Sequence, residues 1–235
     1  MRKFIVSLCI MCVVVSMCAT VSAENTKTLD FSVQSLSEEE KTGFIQKTKL
    51  KMIYDDSDKK GIKTFDISEN GTIALALGSN ADNNINIYVY DPKGNFQYGY
   101  NFYSDGAYGI GFVEENIAIY FLRGDTIAIF DPNGNCIDVQ KIINPDECMM
   151  LSKNIINRVS KQETDKSYLL ERDVNIGDTY SRFVILEEDG TRNVLYDISQ
   201  QHSIGNILWI VGIVGFFGIV IVGIVKKQRS TEENE

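Results

Sequence analysis

Tyr90-Asp91-Pro92-Lys93-Gly94-Asn95 and, 40 positions later, Phe130-Asp131-Pro132-Asn133-Gly134-Asn135 are one turn written twice. Both carry Pro and Gly where hairpin turns accept them. Outward from these turns lie short apolar runs, Ile85 to Tyr90 before the first and Ile127 to Phe130 before the second. Similar runs recur at Ile73 to Leu77, Ile117 to Leu122 and Phe183 to Leu186. From Ile62 to Ser199 the turn pairs fall about every eight to twelve residues, the spacing of hairpin-connected strands, so the fold class read here is all-β and antiparallel. Several runs are apolar on both faces, as strands buried between layers are.

Leu186-Glu187-Glu188-Asp189-Gly190 is a weaker third copy of the turn, and Ile67-Ser68-Glu69-Asn70 has a counterpart in Val113-Glu114-Glu115-Asn116. A period near 40 with four strands per unit divides the region into residues 62–102, 107–142 and 154–199. On these features the chain resembles the blades of β-propellers of the NHL or YVTN type. No Trp-Asp or Gly-His pair marks it as WD40, and the surroundings of Asn70-Gly71 lack the tryptophan of a sialidase Asp box. The resemblance implies four-stranded antiparallel blades and ligand contacts in the loops at one end of them. Three blades are fewer than the four or more of closed propellers. The architecture is therefore a compact pseudo-propeller completed by the preceding segment, a half propeller that dimerises to six blades, or an open stack of sheets. In that segment, residues 24–61, Ser37 and Glu40 form the Ser-x-x-Glu of a capping box and predict a short helix. Phe44, Thr48, Leu50, Met52 and Tyr54 are expected on one face of a strand and Lys47, Lys49 and Lys51 on the other, as on an exposed edge.

The ends of the chain fix its address. Arg2 and Lys3, the apolar run from Phe4 to Met17 and the small residues Val21, Ser22 and Ala23 read as a secretory signal peptide, residues 1–23, with an uncleaved N-terminal anchor as the alternative. Ile204 to Val225 is a run of 22 residues without a charge, long enough for a transmembrane helix. Lys226, Lys227 and Arg229 follow it and place the tail, 226–235, in the cytoplasm. The expectation is a single-pass type I protein of the cell membrane, with the propeller-like domain, 62–203, outside.

With Arg2, Lys3, Lys226, Lys227 and Arg229 outside the ectodomain, 18 of the 23 basic residues remain; with Glu232, Glu233 and Glu235 outside it, 29 of the 32 acidic ones do. The exposed domain thus carries a charge near −11, which repels nucleic acid and admits neutral or cationic partners such as a protein, peptide or glycan. After signal removal only Cys136 and Cys148 remain, and in an oxidising compartment they are candidates for a disulfide that spacing alone does not decide.

Little chemistry is written in the chain. The one histidine, His202, sits two residues before the span, where it cannot serve a Ser-His-Asp or Cys-His site or complete a zinc site. No cofactor or metal is expected. Asp55, Asp56, Asp58 and Gly61 resemble a calcium loop only faintly, since Ile67 stands where its bidentate glutamate belongs. Arg123-Gly124-Asp125 reads as a charged glycine turn. The candidate site is a stripe of aromatics, Phe96, Tyr98, Tyr100 and Phe102, alternating so that all four rings share one strand face. Such a face stacks on a sugar or a peptide, or else packs between sheets. The function expected is display of a non-enzymatic binding module at the membrane; the alternatives are a carboxylate-only glycoside hydrolase and a structural subunit of a membrane complex.

Overall fold

The computed structural model describes residues 31–78, 83–144, 146–147, 152–172 and 178–199. The expected signal peptide, membrane span and tail lie outside these residues, as does Cys148. Among the described residues no helix is long and apolar enough to cross a membrane.

The ordered elements are β1 (Val33–Ser35), α1 (Glu38–Thr48), β2 (Lys51–Ile53), β3 (Ile62–Ile67), β4 (Ile73–Leu77), β5 (Asn84–Tyr90), β6 (Phe96–Tyr103), β7 (Tyr108–Val113), β8 (Asn116–Phe121), β9 (Thr126–Phe130) and β10 (Cys136–Ile142). A π-helical turn, Ser152–Ile156, leads to β11 (Ser160–Gln162), β12 (Lys166–Glu171), β13 (Arg182–Glu187) and β14 (Arg192–Asp197). They form three antiparallel sheets, compatible with blade repeats. The first has the order β2-β6-β5-β4-β3, the second β1-β10-β9-β8-β7 and the third β11-β12-β13-β14. The described chain is thus mostly β, and the strands of each repeat meander in sequence order.

The turns explain the repeat. In Ser68–Thr72, Asp91–Asn95, Asp131–Asn135 and Glu187–Thr191 the first N–H donates to the fifth carbonyl at 2.9, 2.9, 3.0 and 2.9 Å, and the glycine N–H donates back to the first carbonyl. Gly71, Gly94, Gly134 and Gly190 hold φ of 81°, 85°, 82° and 84°, the left-handed geometry that closes a hairpin loop with a glycine bulge. Asp91 and Asp131 each accept from the backbone N–H groups two and four residues on, and from an asparagine side chain. Glu187 is too long for that role, and Asp189 instead takes the Thr191 N–H, which is why this copy is the weaker one in sequence. Ser68–Thr72 belongs to the same turn class, whereas its sequence counterpart at Glu114-Glu115 is a tight two-residue turn with Glu114 at φ 57°.

The helix starts at its capping box: the Ser37 hydroxyl accepts from the Glu40 N–H, and the Glu40 carboxylate accepts from the Ser37 N–H at 2.9 Å. It runs to Thr48 and stops where Lys49 turns left-handed at φ 51°. The strand face expected from Phe44 to Tyr54 is therefore corrected. Phe44 and Thr48 lie four apart on a helix, only Lys51–Ile53 is a strand, and it edges the first sheet beside β6. Phe44 packs edge-on to Phe121 at 5.1 Å.

Apolar layers join the sheets in the order third, first, second. One layer combines Phe65, Leu75 and Tyr88 of the first sheet with Tyr168, Phe183 and Tyr196 of the third. Another combines Ile87, Tyr100 and Phe102 with Ile110, Ile119 and Phe130 of the second. The far face of the second sheet, with Tyr120 and Ile129, is covered by Ile155, Ile156 and Phe31. A single carboxylate fastens the assembly. Asp66 on β3, 7% exposed, accepts from the Phe112 N–H of β7 at 2.9 Å and from Lys161 of β11 at 3.1 Å, and pairs with Arg158, which also reaches the Phe65 carbonyl.

Candidate functional site

The four rings of the stripe do not share one face. Val89 pairs with Tyr98 but Tyr90 pairs with Phe96, so Gln97 is bulged and the alternation breaks there. Phe96 is turned to the opposite side, against Tyr88 at 5.6 Å and Tyr90 at 5.9 Å. Tyr98, Tyr100 and Phe102 keep the face toward the second sheet. Tyr100 and Phe102 are fully buried: Phe102 meets Tyr108 and Phe121, each at 5.7 Å, and the Tyr100 hydroxyl donates to the Asp131 carbonyl. These two rings are core, and burying each contributes about 2 kcal/mol.

Tyr98 is the exception. It is half-buried, edge-on to Tyr100 at 5.5 Å, and lies in a groove of about 310 Å³ between the first and second sheets, at the end that carries the glycine turns. The walls are built largely by those turns: Asn70 and Thr72 from Ser68–Thr72, Asp91 from the next and Glu115 from the β7–β8 connection, with Phe112 from the end of β7. Asn70 Oδ1 accepts from the Thr72 N–H and hydroxyl, which fixes that wall. Asp91 is held well below the usual carboxylate range by the Asn95 side chain first and the turn N–H groups with it. Burial pushes the Tyr98 hydroxyl up; a hydrogen bond with Tyr100 opposes this, and the Asp131 and Glu115 carboxylates add to it. At neutral pH the groove therefore holds a neutral Tyr98 and an ionised Asp91.

Sequence reading reached Tyr98 but not Phe112, Glu115 or Asn70. The signal for Asn70 and Glu115 was present in the pairing of Ile67–Asn70 with Val113–Asn116, since the two connections flank the groove; Phe112, on the strand before, carried none. The other candidates lie elsewhere. Cys136 is half-buried, its thiol donates to the Asp138 carbonyl at 3.6 Å, and burial, with Asp138, pushes it up to about 11; its expected partner Cys148 is outside the described residues. Asp55, Asp56 and Asp58 bond to protein groups, among them Ser57, Tyr90 and Asn86, and among the described residues no three His, Cys, Asp or Glu side chains cluster for a metal.

The described residues define an all-β protein of three stacked antiparallel sheets with one aromatic groove between two of them. No protein-family model matches the chain, and no curated protein matches it. Among solved structures, one titled "Streptogramin B lyase structure" aligns at 15% identity with 64% of this chain and 45% of its own, at a TM-score of 0.27. The chain thus spans less than half of that structure, and a superposition this loose carries no argument about function.

Proposed function

We propose that the chain is a membrane-anchored, extracytoplasmic binding module, non-enzymatic, that holds a segment of protein, a peptide or a glycan in the groove beside Tyr98. The supporting observation is that Tyr98 alone of the three rings on its face is left half-exposed, within a concavity of ligand-binding size lined by amide and hydroxyl groups. The sheet order third, first, second suits a partial propeller open between its second and third blades, on which ligand contacts fall in the loops at one end. The hydrolase alternative would need two carboxylates free to exchange protons, and Asp91 is committed to its turn.

Full-length protein in neutral detergent, titrated with a panel of oligosaccharides and peptides, is expected to show saturable tyrosine-fluorescence changes that Tyr98→Ala removes without lowering the melting temperature by more than a few degrees. A panel that binds equally to wild type and Tyr98→Ala would dismiss the groove. Protease added to intact cells is expected to remove the domain while an epitope on the tail survives; loss of the tail epitope would refute the topology.

A further inference from the structure

The charges around the groove are of one sign. Asp91 and Glu115 line it, Asp131 acts on Tyr98 from the adjacent turn, and no Lys, Arg or His is among its lining residues. Lys93 acts on Asp91 from the same turn but does not line the groove. Glu115 is exposed on the β7–β8 connection and has no hydrogen-bond or ion-pair partner among the described residues. The same groove is lined by two half-buried rings, Tyr98 and Phe112. Carboxylates at a rim over partly exposed aromatic faces attract a cation twice, by charge and by the ring quadrupole. The ectodomain charge near −11 steers the same class of ligand toward it.

We infer that the groove recognises an alkylammonium or guanidinium cation, the head of a lysine or arginine side chain presented on an extended peptide segment, seated over Tyr98 and Phe112 with its charge against Glu115. This rests on the groove being the binding site and names its ligand class. A cavity of about 310 Å³ takes one or two side chains rather than a folded partner. Affinity for a single cation is modest and falls with salt, because Glu115 is screened by solvent.

The test uses full-length protein in neutral detergent at low salt, with three probes: a five-residue acetylated, amidated peptide carrying one central lysine between glycines, its twin with an Nε-acetylated lysine, and spermidine. Calorimetric titration is expected to show the lysine peptide binding at least about tenfold more tightly than its twin, a loss of that difference in Glu115→Gln, and weakening in higher salt. Glu115 is exposed, so its amide variant is expected to fold; unchanged melting of Glu115→Gln checks this. Spermidine binding without peptide binding would keep the cation and assign it to a free polyamine. Equal binding of the lysine peptide and its twin would overturn the cation reading while leaving a neutral-ligand groove. No binding by any probe, together with no response to the oligosaccharide panel, would overturn both.

Discussion

Two glycines separate the two reasons a backbone demands that residue. At Gly190 an added Cβ would meet nothing within 4 Å, and the only demand is φ of 84°. At Gly99 a Cβ would stand 2.5 Å from the carbonyl oxygen of Ile87 on the neighbouring strand, so the demand is space in a place where backbone cannot yield. Gly190→Ala is expected to cost about 1–2 kcal/mol, the price of a left-handed L-residue. Gly99→Ala is expected to cost about 3 kcal/mol through overpacking. Denaturant midpoints of the two variants check the order, and a larger loss at Gly190 would show that the β5–β6 contact relaxes. Asn-Gly, Lys-Gly and Asp-Gly pairs announced the first kind of glycine in sequence, Asp189-Gly190 among them; Gly99, in the middle of an aromatic strand, carried no such mark.

Among the elements, what was legible depended on whether the cause was local. The capping box of α1 and the Asp-Pro-x-Gly turns are made by residues within five positions of one another, so their pattern survives in the chain alone. The bulge at Gln97 is set by the register against β5, and with it the fate of Phe96. A period of two along Phe96, Tyr98, Tyr100 and Phe102 therefore placed three rings correctly and one on the wrong side. Asp66 is the extreme case. Nothing around it in sequence distinguishes it, yet it gathers Phe112 from β7, Lys161 from β11 and Arg158 from the connection before β11. Asp66→Ala is expected to destabilise the fold by about 3 kcal/mol, because it leaves two largely buried cations without their carboxylate and the Phe112 N–H without its acceptor. Thermal melts of the variant alone and with Arg158→Met check this. If the double variant is no more stable than Asp66→Ala, the loss does not come from stranded charge.

For the molecule as a whole, the tyrosines packed between sheets set a limit at high pH. Burial pushes Tyr88 and Tyr168 up to about 12, and raises Tyr90, Tyr100, Tyr120 and Tyr196 further. A phenol whose folded pKa lies above its unfolded value near 10 contributes its full share to stability below that pH. The share is lost as pH rises through the folded value, since the unfolded chain releases the proton first. Cooperative alkaline unfolding is expected between roughly pH 10 and 12, with phenolate absorbance and loss of the β circular dichroism signal rising together. Ionisation of these six phenols near pH 10 with the β signal intact would mean that the rings are accessible in the folded state.

By itself the sequence determined the strand-and-turn content, the repeat near 40 residues and the sign of the domain's charge, because each is a property of neighbours along the chain or of composition. Only the tertiary structure decided that the third sheet packs on the first rather than following the second. It alone decided that Tyr100 and Phe102 are core while Tyr98 faces a groove, and that Glu115 and Phe112 line the same groove. Those outcomes depend on which apolar face covers which and on a one-residue slip of register, quantities fixed by contacts across some tens of residues that no local pattern encodes.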